Sequence, residues 1–214
     1  MSSQLKHHGS LACALLVGVF AAFGGAFSAS AQQQSPQQLV EQTVQAAFQV
    51  LRNPKLRSDS KLRMQELRRV VDRAFDWEAM ARSSLGAPWR QLDPAQRSEF
   101  IAVFKELLAE RYMDDIDRFQ GSEQIVIKGS SRSGELAVVN TVLITSSREH
   151  VPMDYTLHPA GTTWQVEDVS IEQVSMVNHY RKTFARFLAN HSFSELLEQL
   201  KRRQKSPAAA ALPK

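Results

Sequence analysis

The stretch from Trp164 to Phe187 constrains the fold more than any other, because its hydrophobic period changes partway along. The first half alternates as a strand does, with Trp164, Val166, Asp168 and Ser170 on one side and Gln165, Glu167, Val169 and Ile171 on the other. In the second half Val174, Val177, Tyr180, Arg181 and Phe184 recur at three and four residues, the stripe of an amphipathic helix. Ser175 either caps that helix or lies in its first turn. A strand running directly into a helix fixes the relative placement of the two.

Upstream the pattern is helical. Pro36 suits a helix start, and Val40, Val44, Ala47, Phe48 and Leu51 form one stripe before Asn53-Pro54 ends it. A second helix begins near Ser58 or Asp59 with Leu62, Leu67, Val70, Val71 and Ala74 on its apolar face. Arg63, Arg68, Arg69 and Arg73 line its other faces, as either a solvated or a docking surface. Asp76 caps a short helix that Gly86 ends. Asp93, Pro94 and Gln96 then open a long one with capping-box spacing, and Phe100, Val103, Phe104, Leu107 and Leu108 give it a broad apolar face.

From Gly121 the pattern becomes extended. A short strand over 124–128, a turn over 129–134 and a longer strand over 136–144 precede the turn at Ser146-Ser147-Arg148. Val151, Met153, Tyr155 and Leu157 alternate next, and Pro159-Ala160-Gly161 turns the chain into the Trp164 strand. Four successive strands predict an antiparallel meander, so the fold class is α+β: a curved four-stranded sheet packed by helices, with a helical second lobe. The expected layout is helical over 36–117, sheet over 123–171 and C-terminal helices over 174–205, all in one domain, 32–205. Ser192 and Glu195 box the last helix, and the Pro/Ala-rich tail 206–214 is expected to be disordered.

The chain opens with Lys6, His7 and His8, then an uncharged run from Leu11 to Phe27, then Ala29-Ser30-Ala31. This order predicts a signal peptide over 1–31 cleaved after Ala31, with a membrane anchor as the alternative that the short, Ala- and Gly-rich run disfavours. Cys13 lies at the start of that run and reads as an ordinary leader residue. The product would keep 183 of the 214 residues, without cysteine, and its formal charge would fall from +4 to +3 with the loss of Lys6. It then has no disulfide, thiol nucleophile or thiolate metal ligand, and no second membrane-length apolar segment.

Catalysis finds little support. His150, His158, His179 and His191 show no tight metal spacing, and neither a nucleophile elbow nor a phosphate-holding glycine loop is present. Asp154 and Asp168 lie on sheet strands, where they either meet or serve as hydrogen-bonded surface carboxylates. Basic residues are interspersed with acids, and an export signal argues against a nucleic-acid partner. No enzyme activity, cofactor or metal is expected. What remains is an exported binding protein for an apolar ligand, a hydrocarbon or isoprenoid included, or a structural adaptor with a solid core.

Two blocks narrow this. One is ARSSLGAPWRQLDPAQRSEFIAVFKELLAERY, residues 81–112; the other is WQVEDVSIEQVSMVNHYRKTF, residues 164–184. With the tail from Phe193 through Leu200, they resemble the MlaC family of periplasmic phospholipid-binding proteins, also known as toluene-tolerance auxiliary proteins. That family commonly has glycine where this chain has Gln173. The resemblance implies a sheet related to the nuclear-transport-factor-2 type and a cavity for phospholipid acyl chains, with phospholipid as cargo rather than cofactor. It implies a periplasmic location and traffic between an outer-membrane lipoprotein–porin complex and an inner-membrane ABC transporter with its MCE-domain component, so that outer-membrane lipid asymmetry is maintained. The carrier is expected to act as a monomer.

On this reading Phe100, Phe104 and Leu107 of the long helix face the sheet across the acyl chains. The sheet contributes Val138 or Val142, Met153 or Tyr155, and Trp164 or Val166; the strand-to-helix junction adds Val169, Tyr180 and Phe184. Arg90 and Arg181 are headgroup or rim donors, or else surface ion pairs. Arg63, Arg68, Arg69 and Arg73 form the candidate docking face.

Overall fold

Each helix begins where a side chain takes up its free N–H groups. In the computed structural model, which describes residues 34–205 except 118 and 120 (backbone alone at 113–117 and 205), α1 spans Pro36–Arg52 behind a reciprocal box of Ser35 and Gln38. Asp59 caps α2 (Ser60–Ala74), Asp76 caps α3 (Trp77–Leu85), and Asp93 with Gln96 boxes α4 (Pro94–Asp117). Single 3-10 turns follow α1 at Pro54–Leu56 and α3 at Ala87–Gln91. Gly86 ends α3 at φ 73°, a conformation open to glycine. The expected leader (1–31) and tail (206–214) lie outside the described residues.

Five antiparallel strands follow in simple meander order: β1 (Gln124–Ser133), β2 (Leu136–Ile144), β3 (His150–Ala160), β4 (Thr163–Ile171) and β5 (Val174–Ser175). Then come α5 (Met176–Leu188), capped by Ser175, and α6 (Phe193–Lys205), boxed by Ser192 and Glu195. The α+β class holds, with five strands in place of four.

Four local expectations change. β1 does not stop at Lys128: it bulges between Ile127 and Gly129 and continues to Ser133, with the turn at Gly134-Glu135. The polar run 130–133 is extended because β2 supplies a ladder for it, so the partner strand overrides weak propensity. β3 likewise runs through Pro159 and Ala160 and turns at Gly161-Thr162. Val174 is not on the helix stripe; it pairs with Ile171 in β5 and is 59% exposed.

The fourth change concerns β4. Leu157 pairs with Val166 and Thr156 with Asp168, so Glu167 is an extra residue. This bulge turns the strand over. Trp164, Val166 and Val169 consequently share the buried face, while Asp168 looks the other way and accepts from Ser175 Oγ and the Val177 N–H at the start of α5. Strict alternation had separated Val169 from Trp164 and Val166.

Burial falls into two clusters. In one, Met80, Phe100, Phe104, Phe184, Leu196 and Leu200 hold α3, α4, α5 and α6 together. In the other, Val40 of α1 packs on Ala137, Val139, Tyr155, Leu157, Trp164 and Val166 of the sheet. Phe75 and Met176 border both. Phe75 sits where the α2–α3 link bridges in parallel to Val166, and the Asp76 N–H donates to Val166 O at 2.9 Å.

Candidate functional site

The expected wall residues divide between these clusters. Phe100, Phe104, Leu107, Tyr180 and Phe184 lie in the helical one, where Phe104 is 5.6 Å from Tyr180 and Phe100 is 5.8 Å from Phe184, ring centre to ring centre, both edge to face. Contacts of this geometry add to area burial. Tyr155, Trp164, Val166 and Val169 lie in the sheet cluster, with Met153 at its margin. α4 packs against α3 and α6 and does not stack on the sheet as its apolar face suggested, because that face is filled by α5 and α6 side chains.

The register decides which sheet face looks inward. Residues paired across neighbouring strands share a face. Ala137, Val139 and Thr141 are buried, as are Leu157 and Tyr155 opposite the first two, while Met153 opposite Thr141 is half-buried. Val138 and Val142 pair with Thr156 and Pro152 on the opposite face and are half-buried. Thr141 places a hydroxyl in the inward layer and donates it to Met153 O at 2.7 Å, so the group is satisfied at no cost in exposed polarity.

The opening lies beside α1. Only Val40 of the stripe Val40, Val44, Ala47, Phe48 and Leu51 is buried. Toward its C-terminal end the helix leaves its apolar side partly uncovered. Val44 and Phe48 there face Ile125 and Ile127 of the edge strand β1 across a cleft of about 240 Å³, rimmed by Gln37, Glu41 and Gln45. On the other flank of α1, a groove of about 450 Å³ runs between α1 and α2, with Val50, Leu56, Leu62 and Val70 along it. The sequence pattern places Val44 and Phe48 on the core side of a helix; incomplete cover over that side is a tertiary property. β1 is an edge strand, which is why nothing continues the sheet beyond Ile125 and Ile127.

Burial keeps the inward polar groups neutral. It pushes the Tyr155 phenol up to about 12, and burial together with the neighbouring Tyr112 does the same for Tyr180. Arg132 lies over the Trp164 ring at 4.9 Å and covers its outer end. His158 lies between the carboxylates of Asp76 and Glu167, at 3.2 and 3.0 Å, and ties the bulge to the α2–α3 link. Asp154 and Asp168 do not meet: Asp154 accepts from Asn140, and Asp168 serves α5. Among the described residues no group of three His, Cys, Asp or Glu side chains is placed to hold a metal ion.

The arginines behave differently from one another. Arg90 and Arg181 are exposed on the helical side, and a methyl group on Gly86 would lie 3.6 Å from Arg181 Nε. Arg68 makes a two-pronged contact with Glu106, and this first raises its already high pKa. Arg69 pairs with Glu66, Arg63 is half-buried and partnered, and Arg73 is exposed.

A protein-family model described as "MlaC protein" matches residues 41–202. Among solved structures, the chain is similar to a phospholipid-binding protein from Ralstonia solanacearum, determined in complex with a phospholipid. The TM-score is 0.74 at 20% identity, over 80% of this chain and 98% of that one. At this identity the likeness speaks for the fold: a meander sheet with helices packed as described above.

Proposed function

We propose, from the premise that this chain belongs to the MlaC protein family, that it binds a diacyl phospholipid and carries it through the periplasm. The observation that carries the reading is the half-covered apolar side of α1 over the edge of the inward sheet face. It is an opening lined on one side by a helix and on the other by an edge strand with a free outer side, and the Ralstonia solanacearum protein of the same fold holds a phospholipid.

The physics of cargo sets the mechanism. Two acyl chains carry roughly 30 CH₂ groups, and at about 0.8 kcal/mol each their exposure to water costs on the order of 25 kcal/mol. The carrier must offset most of that, yet hold lipid no more tightly than a bilayer does. A cleft of about 240 Å³ is below the ~300–1,000 Å³ of pockets that enclose drug-sized ligands, so two chains require it to widen. α1 is the element that moves: it holds the sheet through Val40 and is half-exposed beyond it. Once it parts from β1, acyl chains reach Tyr155, Trp164, Val166 and Val169. Widening that continues past Phe75 and Met176, which border both clusters, extends the cavity to Phe100, Phe104, Leu107, Tyr180 and Phe184. The phosphate stays near solvent, where Arg90 and Arg181 are available to it, because a buried phosphate would need paired donors. No residue needs to do chemistry.

Delivery completes the proposal. The carrier exchanges lipid with an outer-membrane lipoprotein–porin complex and an inner-membrane ABC transporter bearing an MCE-domain protein. Arg63, Arg68, Arg69 and Arg73 on α2 provide the docking face. The test is native mass spectrometry, with lipid extraction, of protein purified from a Gram-negative envelope. Diacyl phospholipid at close to one per chain is the expected result. A clean apo protein, or a single-chain or isoprenoid ligand, overturns it.

A further inference from the structure

We infer that the corner where α1 meets α2 is a docking surface for an anionic bilayer. Three observations meet there. First, the corner is basic: between residues 52 and 63 stand Arg52, Lys55, Arg57, Lys61 and Arg63 against a single acid, Asp59, and that acid is engaged in capping α2 through the Leu62 N–H at 2.9 Å. Second, three of these five cations are uncommitted, since Arg63 is partnered and Arg52 donates to Gly121 O and Glu123 O. Lys55, Arg57 and Lys61 are exposed, and among the described residues none of the three side chains makes a hydrogen bond or ion pair. The arginines further along α2 are different, since Arg68 and Arg69 are held by Glu106 and Glu66.

Third, apolar surface lies among these cations. Leu62 is 39% exposed, one of two large apolar side chains left open on the described surface, and it stands at the lip of the α1–α2 groove beside Leu56 and Val50. Long basic side chains around exposed leucine are suited to an interface where the stems lie in the apolar layer and the charged heads reach phosphate. Among the described residues that line the groove none is aromatic. Aromatic anchors concentrate the binding energy of protein partners and set their register. Charge and apolar area without such anchors fit a fluid surface, which needs no register, and the positive sign selects acidic headgroups.

Position gives the corner its use, and here the inference rests on the carrier reading. α1 separates the groove from the cleft: Ala46 and Val50 line the first, Val44 and Phe48 the second. A bilayer held at the corner is then one helix away from the opening through which an acyl chain would pass, so lipid exchange requires a short path through water.

The experiment is vesicle flotation with purified protein expressed from the full chain. Vesicles of phosphatidylcholine with phosphatidylglycerol are compared with phosphatidylcholine alone, at low and at physiological salt. Binding to the anionic vesicles only, weakened by salt, is the expected result. K55Q/R57Q/K61Q removes three cations and should weaken it on the order of 100-fold, and L62S should weaken it further while circular dichroism stays unchanged. Equal binding to both vesicle types, or undiminished binding by the triple variant, overturns the proposal. So does a lack of vesicle binding with a photo-crosslink from position 61 to an envelope protein, which would assign the corner to an acidic protein. Lipid content by native mass spectrometry is read separately: an empty wild-type protein counts against the carrier reading, whatever flotation shows.

Discussion

Gln173 occupies the second position of the two-residue turn between β4 and β5, at φ 66°, after Glu172 at 49°. Both residues are in the left-handed region that a tight hairpin turn of this kind demands and that glycine or asparagine fills most easily. This chain adopts the conformation that suits glycine with a side chain in place. A non-glycine residue in that region costs roughly 1–2 kcal/mol, partly offset because glycine loses more freedom on folding. Gln173→Gly is therefore expected to raise stability by about 0.5–1 kcal/mol, and Gln173→Val to lower it, both measured by urea denaturation. Tyr155 gives a second residue-scale prediction. Its folded pKa of about 12 stands above the ordinary value near 10, so the folded state keeps the proton over a range in which the unfolded state releases it. The stability linked to this group is complete below pH ~10 and is lost as pH rises through ~12. Unfolding free energy should fall by about 2–3 kcal/mol over that window for a single buried tyrosine. Tyr155→Phe should flatten the profile, and an unchanged slope would show that other groups dominate it.

At the scale of elements, α1 is what the proposed carrier function turns on. It is made as any amphipathic helix is made, with a capping box at Ser35 and Gln38 and a stripe from Val40 to Leu51, yet only the first turn of that stripe is buried. If the α1–β1 cleft admits acyl chains, bulk placed in it should exclude lipid without unfolding the protein. Val44→Trp is expected to melt within a few degrees of wild type and to carry much less phospholipid by native mass spectrometry. Val142→Trp, on the opposite sheet face, should leave lipid content unchanged. Lipid occupancy retained in the V44W protein would move the site elsewhere. Helix starts such as Asp59, Asp76, Asp93 and Ser192 are legible in the sequence because a cap is a contact within three residues. The bulge at Glu167 is not, since it exists only relative to β3, and it decides whether Val169 faces inward.

For the whole molecule, the carrier reading makes a prediction about place. When the full chain is expressed in a Gram-negative cell, fractionation should find a species beginning near Gln32 in the periplasm. An intact chain retained in the cytoplasm would remove the exported carrier. The sequence by itself determined the α+β class, the order of the helices and of the first four strands, most of their starts, and many of the residues that become buried, because these follow from local contacts and from periodicity. Only the tertiary structure decided how the buried residues are shared. Phe104 and Trp164 are equally apolar in sequence, yet one is enclosed by α5 and α6 and the other lies under α1 on the sheet. The same holds for the choice between Val138 and Val139, and for the cleft itself. Register is set by the partner strand, and an opening is set by where a neighbouring helix stops covering its side. Neither is encoded in the spacing of residues along the chain.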